Sequence, residues 1–235
     1  MRGRVALLAL TLVAGCGDGG AQITVSAASS LQAPLTRCAG DARLQFAGSD
    51  ELAAQIRKGV RPDVFAAANT KLPDQLAREG LLDATVVFAG NRLVLATPRG
   101  SDVDSLSDLA KDGVRVVIAS EGVPVGDYAR TVLGRLPERE RTAILANVRS
   151  EEPDVKGIAG KLAQGAADAG LLYRTDVAPA KLRAVPLPPG LQPDVAYGAG
   201  VVKGAKDGAK DFVGGLVSGG CADALREAGF LPPPR

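Results

Sequence analysis

The sequence contains no histidine and no tryptophan, and aromatic side chains are scarce, with five Phe and three Tyr in 235 residues. Without histidine the usual general base near neutral pH is missing, as are Ser-His-Asp and Cys-His catalytic groups and most catalytic zinc sites. The chain also has few aromatic side chains from which to build a site that binds sugars, nucleic-acid bases or quaternary amines on aromatic faces. These absences argue against ordinary acid–base enzymes and against aromatic-cage binders.

The chain has no large surplus of charge of either sign, because it contains 28 Lys and Arg and 26 Asp and Glu. It also has no block of five or six like charges. We therefore expect no nucleic-acid partner. The hydrophobic fraction of 46% and the charged fraction of 23% are typical of a globular chain. The length suits one large domain or two small ones.

The N-terminal segment MRGRVALLALTLVAGC has two arginines, then an apolar stretch too short to span a membrane. Its end, VAGC at 13–16, resembles the lipobox of bacterial lipoproteins, whose cysteine becomes the lipidated first residue. We expect residues 1–15 to be a signal peptide, Cys16 to be the lipidation site and residues 16–21 to be a tether. The alternative is an ordinary cleaved signal in which Cys16 is incidental.

Cleavage before Cys16 removes Arg2 and Arg4, which leaves 28 − 2 = 26 basic side chains against 26 acidic ones. The mature chain is then formally neutral. We expect it in the periplasm or on the outer face of the cytoplasmic membrane, anchored by lipid. There Cys38 and Cys221 can oxidise, and we expect them to form a disulfide; two buried free thiols are the alternative.

Beyond Ala21, short apolar runs alternate with helical patterns, which indicates an α/β protein with largely parallel sheets. The composition shifts at 97–104 and 185–194 predict crossings between two lobes. We place 22–91 and 198–235 in lobe I and 92–197 in lobe II. The predicted strands are Ile23–Ala27, Arg43–Phe46, Asp63–Ala67, Leu93–Thr97, Arg115–Ala119 and Ala169–Leu172.

Three predicted turns lead from a strand into a helix through small residues. Ser30 and Ser49 stand at two of them, where we expect each serine to cap the helix that follows. At the third, VPVGD, we expect exposed N–H groups at Val125, Gly126 and Asp127. Ligands of open α/β sheets bind where strand ends and helix N-termini converge. A fully deprotonated oxyanion suits such a place, because it needs only donors.

Six short sequence segments resemble the periplasmic molybdate-binding proteins, the substrate-binding components of molybdate/tungstate ABC transporters. They follow one another in the same order as in that family. The resemblance implies a type II periplasmic-binding-protein fold, with two α/β lobes joined by a two-strand hinge. It also implies molybdate or tungstate as ligand, no cofactor, and a membrane permease as partner. The segments are AASSL (27–31), FAGSDELAAQI (46–56), PDVF (62–65), VFAGNRLVL (87–95), VPVGDYA (123–129) and LLYRTDV (171–177).

Carried over motif by motif, the resemblance implies that the oxyanion, and thus its metal atom, is held without a cationic side chain. The hydroxyls of Ser30, Ser49 and Tyr173 would bind it, with the main-chain N–H groups of Val125 and Val155. Ser30 and Ser49 would belong to lobe I and the other three to lobe II.

Three positions depart from the family pattern. Pro34 lies in a predicted helix over 31–39, where it removes an amide donor if it lies beyond the first turn. Asp50 replaces a small hydroxyl residue, so its carboxylate must point away from an anion or meet a cation. Asn69 stands where aspartate is common, and the sequence gives no mechanism for it.

Other functions remain as alternatives. Sulfate has the charge and shape of molybdate, and phosphate would use an acceptor such as Asp50. A ferric site is disfavoured because Tyr128, Tyr173 and Tyr197 are scattered. A sensor lipoprotein without transport, or an enzyme with Asp50 or Asp176 as base, is a further alternative. We expect a monomer.

Overall fold

The computed structural model describes residues 22–234. The predicted signal peptide, the lipidation site at Cys16 and the tether over 16–21 lie outside this range. Within it, no helix is both long and apolar enough to cross a bilayer.

Two five-stranded sheets form the centres of two lobes. The first sheet has the order β2-β1-β3-β10-β4 and the second the order β7-β6-β8-β5-β9. The strands are β1 (Thr24–Ala28), β2 (Arg43–Ala47), β3 (Val64–Ala67), β4 (Val86–Asn91), β5 (Leu93–Thr97), β6 (Val116–Ala119), β7 (Val148–Glu152), β8 (Ala169–Tyr173), β9 (Arg183–Pro186) and β10 (Val195–Val201).

Four strands of each sheet run in the same direction, as the expectation of largely parallel sheets has it, and one strand in each runs against them. β10 pairs antiparallel with β3 and β4, and β5 pairs antiparallel with β8 and β9. The reason lies in the crossings. The chain leaves the first sheet along β4, enters the second along β5 after Arg92, and returns along β10. Since β10 lies wholly in the first sheet, the return precedes Val195 and not residue 198.

The helices flank both sheets. The first lobe carries α1 (Gln32–Cys38), α2 (Ser49–Arg57), α3 (Lys71–Arg78), α8 (Ala209–Val217) and α9 (Gly220–Glu227); the second carries α4 (Pro124–Gly134), α5 (Glu138–Ala146), α6 (Val155–Ala163) and α7 (Arg174–Val177). Because helices cover both faces, central strands such as β3, β6 and β8 are buried at every residue.

The first helix begins later than predicted. A short 3-10 helix, Ser29–Leu31, precedes α1, and Pro34 is the third residue of α1. An N–H at that position has no acceptor within the helix, so the proline removes no helical hydrogen bond.

A disulfide joins Cys38, the last residue of α1, to Cys221 in α9, across 183 residues of sequence. Both helices belong to the first lobe, and the whole second lobe lies in the loop between the two cysteines. The covalent link therefore ties together the two separate chain segments that build the first lobe.

Candidate functional site

A small cavity lies between the lobes, at the carboxyl ends of β1, β2, β6, β7 and β8. Its volume is about 10 Å³, roughly the space that one water-sized sphere occupies. Ser30, Ser49, Val125, Val155 and Tyr173 all border it. The other bordering residues are Ala28, Ser29, Ala47, Gly48 and Ala68 of the first lobe, and Val123, Pro124 and Asp154 of the second.

The two serine hydroxyls are buried at the first-lobe side of the cavity. The Ser30 Oγ lies 3.0 Å from the Tyr197 hydroxyl, and the Ser49 Oγ accepts a hydrogen bond of 3.1 Å from the Ala68 N–H. Neither serine caps a helix, since the N-cap residues of α1 and α2 are Leu31 and Gly48, and no side chain makes a capping bond at either. The predicted capping role is therefore wrong. Each hydroxyl instead forms a hydrogen bond with another segment of the first lobe: Ser30 with Tyr197 in β10, and Ser49 with Ala68 after β3.

Backbone donors at the second-lobe side come from the first turns of α4 and α6. The first helical bond of α4 runs from the Asp127 N–H to the Val123 carbonyl, 2.9 Å away. The N–H groups of Val125 and Gly126 precede it and have no acceptor within the helix. Asp127, by contrast, is not the exposed donor that we expected.

Val155 is the first residue of α6, so its N–H also has no acceptor within the helix. The preceding residue, Asp154, accepts a hydrogen bond of 2.9 Å from the Gly157 N–H and thereby caps the helix. This cap holds the start of α6 against the cavity, with the Val155 N–H at its border.

Gly126 explains the close approach of α4 to the sheet. A Cβ atom there would lie 2.3 Å from the Ser120 carbonyl oxygen and 2.6 Å from that of Ala119. Only glycine lets the helix start pack directly on the end of β6, which keeps the Val125 N–H at the cavity.

Tyr173, the last residue of β8, is 1% exposed, and its hydroxyl has no hydrogen-bond partner among residues 22–234. Burial raises its pKa well above 10, so the hydroxyl stays protonated and available as a donor. A buried polar group without a partner is rare and costly in folded proteins. At the border of a cavity, it is a donor that a bound ligand could use.

The cavity is suited to negative charge although no lysine or arginine among residues 22–234 borders it. The helices α2, α4 and α6 all begin there, so the positive ends of three helix dipoles meet at one place. The bordering carboxylate, Asp154, is already engaged with Gly157. Fixed N–H dipoles and hydroxyls therefore take the role that a cationic side chain has elsewhere.

Asp50 does not border the cavity, which resolves the conflict that its charge posed. Its Oδ1 atom is folded back over Gly48, 2.8 Å from where a Cβ of that glycine would lie. Burial raises the pKa of the Asp50 carboxyl, and the backbone N–H groups of Asp50 and Glu51 partly oppose this. The carboxylate thus lies at the start of α2, beside the site but outside it.

The tyrosines are clustered, contrary to expectation. The ring centroids of Tyr128 and Tyr173 are 6.4 Å apart and those of Tyr173 and Tyr197 are 5.7 Å apart. Sequence distance concealed this, because the three come from α4, β8 and β10. Burial raises the pKa of Tyr173 and of Tyr197 well above 10, so both hydroxyls are protonated. Among residues 22–234 no group of three or more Cys, Asp or Glu could hold a metal ion with them.

Two further residues gain roles. The Asp176 carboxylate is buried and paired with the Lys156 ammonium at 2.7 Å, so it is not a free base at the cavity. The Asn69 Oδ1 accepts a hydrogen bond of 3.1 Å from the Leu72 N–H at the start of α3, which is the mechanism that the sequence lacked.

Tyr173→Phe is expected to change stability and affinity in opposite directions. Removing the unpartnered hydroxyl should stabilise the ligand-free protein by about 1–3 kcal/mol, whereas a lost bond to an anion should weaken binding by about 10- to 100-fold. Urea unfolding without ligand and calorimetry with molybdate measure the two effects. As a control, Tyr128→Phe should not stabilise, because the Tyr128 hydroxyl accepts a bond from the Ala196 N–H. Lower stability with unchanged affinity in Tyr173→Phe would assign that hydroxyl to the fold.

A cavity enclosed by two α/β lobes, with donors from both, defines a two-lobed ligand-binding protein. A sequence model of the bacterial extracellular solute-binding proteins matches residues 23–231. The molybdate-binding protein ModA of Mycobacterium tuberculosis is 33% identical over 236 residues, which cover 94% of this chain and 88% of that protein. The chain therefore belongs to the bacterial extracellular solute-binding protein family, and its predicted kinship with the periplasmic molybdate-binding proteins is confirmed.

Solved structures show the same fold. The substrate-binding domain of a putative molybdenum ABC transporter from Clostridium difficile is 27% identical, with a TM-score of 0.66 over 91% of this chain and 99% of that one. The periplasmic molybdate-binding protein of Azotobacter vinelandii has a TM-score of 0.77 at 22% identity, over 91% and 100%. The predicted type II fold of two α/β lobes is confirmed. The family consists of exported solute-binding proteins, so this chain is a binding protein and not an enzyme.

Proposed function

We propose that this protein binds a tetrahedral oxyanion, molybdate or tungstate, between its lobes and delivers it to the permease of an ABC transporter. The observation that carries the proposal is the convergence of five donors from both lobes on one small cavity without a cationic side chain. The 33% identity to a protein named as molybdate-binding selects this oxyanion class.

The donors divide between the lobes. Ser30 and Ser49 belong to the first, and Val125, Val155 and Tyr173 to the second. Only a closed arrangement offers all five to one ligand, so binding favours closure. Hydrogen bonds to a charged group contribute about 1.5–3 kcal/mol each, and five of them are of the order that micromolar binding, roughly 8 kcal/mol, requires.

The direction of β1 supports a receptor anchored at its N-terminus. Residue 22 precedes β1, whereas Ser30 follows it, so residue 22 lies at the end of β1 away from the cavity. A lipid on Cys16 would then hold the monomer at the membrane while the cavity side stays free to meet the permease. The lipid anchor, the monomeric state and the tether over 16–21 belong to this proposal.

Calorimetry with molybdate, tungstate, sulfate and phosphate tests the proposal. We expect micromolar or tighter binding of molybdate and tungstate, with sulfate and phosphate weaker. Ser30→Ala with Ser49→Ala should lose this binding while circular dichroism shows a folded protein. A folded wild type that gives no heat with molybdate or tungstate contradicts the proposal. Tighter binding of sulfate or phosphate would assign the site to that anion.

A further inference from the structure

A chain of buried hydrogen bonds runs behind Ser30 and ends at the crossing between the lobes. Tyr197 in β10 is 0% exposed, and its hydroxyl lies 3.0 Å from the Ser30 Oγ and 3.4 Å from the Asn91 Nδ2. Asn91, the last residue of β4, is 5% exposed, and its Nδ2 also donates to the Thr175 Oγ1 at 3.0 Å. The Arg92 N–H donates to the Asn91 Oδ1 at 2.8 Å.

These bonds have one direction, which the Asn91 amide determines. Because its oxygen accepts from the Arg92 N–H, its NH₂ group faces Tyr197 and Thr175, and an amide NH₂ only donates. The Tyr197 oxygen is therefore the acceptor toward Asn91, and its proton is left for Ser30. Burial raises the pKa of Tyr197 well above 10, so that proton is always present.

The Ser30 Oγ then accepts from Tyr197, which leaves its own proton free to point into the cavity. A hydroxyl rotates between donor and acceptor arrangements unless a partner fixes it. An oxyanion without protons offers only lone pairs, so it gains from a serine that is held as a donor. No rotational freedom is then lost on binding.

We propose that Tyr197 and Asn91 are positioning residues of the anion site, which hold the Ser30 hydroxyl as a donor to the ligand without touching the ligand themselves. The inference rests on the proposed function. It assigns a role to two residues that lie 167 and 106 positions from their bonding partners and outside the cavity border.

Tyr197→Phe removes the hydroxyl while preserving the packing of the aromatic ring. The ring of Tyr197 packs edge-on against Phe230, with centroids 5.2 Å apart, and against Phe88, with centroids 6.1 Å apart. Phenylalanine keeps these contacts and loses only the hydroxyl. We expect the variant to fold, with the Ser30 hydroxyl free to rotate.

A double-mutant cycle with molybdate calorimetry tests the proposal. Tyr197→Phe should weaken binding by about five- to tenfold when Ser30 is present, and by less than about twofold in a Ser30→Ala background. In a Ser49→Ala background the five- to tenfold effect should persist, since Tyr197 does not contact Ser49. Tyr128→Phe is the matched control, because it removes another tyrosine hydroxyl, part-buried, that does not contact Ser30.

A second cycle keeps Ser30 intact. In Asn91→Asp the new carboxylate accepts from the Tyr197 hydroxyl, so Tyr197 turns round and Ser30 presents a lone pair to the cavity. We expect a loss of at least about 20-fold, and a clearly smaller one in a Tyr197→Phe background, where only the added charge acts.

The outcomes separate the two proposals. A wild type that binds neither molybdate nor tungstate refutes the proposed function. A wild type that binds, with a Tyr197→Phe effect that is absent or equally large in the Ser30→Ala background, overturns the positioning role alone.

Discussion

Gly48→Ala is expected to weaken oxyanion binding at least about 100-fold while the protein stays folded. Gly48 precedes α2 in the first lobe, and a Cβ atom there would lie 2.5 Å from the Pro153 carbonyl oxygen of the second lobe. Its backbone, at φ −58° and ψ 137°, is open to alanine. The Asp50 Oδ1 of the same lobe would also lie 2.8 Å from that Cβ, but it is the end of a side chain that can turn away, so the clash between lobes is the main obstacle. Parting the lobes relieves it, but withdraws the Val125, Val155 and Tyr173 donors from the ligand.

Calorimetry and small-angle X-ray scattering measure this effect together. Wild type should contract when molybdate is added, and Gly48→Ala should not. Gly214→Ala is the control, because that glycine lies within α8 and a Cβ there meets nothing within 4 Å. It should bind like wild type and gain slight stability. Wild-type affinity in Gly48→Ala would mean that the ligand is held without the approach of Gly48 to Pro153.

The sequence predicts a turn of small residues at Ser49, next to Gly48, but it does not predict Gly48 as the point where the lobes meet. The turn is local, since a small residue between β2 and α2 permits the change of direction. Pro153 lies on the other lobe, about a hundred residues away, and nothing in either segment indicates the other. Closure contacts of this kind depend on how two lobes pack, which local patterns do not contain.

The strands also divide into those that the local sequence predicts and those that depend on distant parts of the chain. All six predicted strands exist, with ends within one residue of their predicted positions, because each is a short buried run. The strands β4, β7, β9 and β10 were not predicted. β7 is VRSEE, a polar edge strand with only one fully buried residue, and β10 contains two glycines. Their pairing comes from the sheets that they join and not from their own composition.

The site shows a comparable limit at the serines. A serine between a strand and a helix is a common cap, so the local pattern favoured capping for Ser30 and Ser49. The Ser30 hydroxyl instead bonds to Tyr197, 167 positions away, and the Ser49 hydroxyl bonds to the Ala68 N–H, 19 positions away. Tyr197 and Asn91 were missed for the same reason. The sequence gives one weak indication for Tyr197, because a tyrosine beside glycines in a strand is large compared with its neighbours.

Removing the disulfide by Cys38→Ala with Cys221→Ala is expected to lower the free energy of unfolding by up to about 5 kcal/mol. In the chain-entropy model the loss grows with the closed loop, and this loop spans 183 residues. The link restricts the unfolded chain by holding together two segments that the entire second lobe separates. Since it lies between α1 and α9, away from the cavity border, we expect the affinity for molybdate to change less than about threefold.

Urea unfolding of the oxidised wild type, the reduced wild type and the double variant separates the link from the side chains. The two forms without the bond should unfold at similar, lower urea concentrations, and reductant should not affect the variant. A steeper urea dependence is also expected, because an unlinked unfolded chain exposes more surface. If all three unfold together, the first lobe is held by packing of α1 on α9 alone, and the disulfide is redundant for its stability. If affinity falls with stability, the positions of α1 and of Ser30 before it depend on the link.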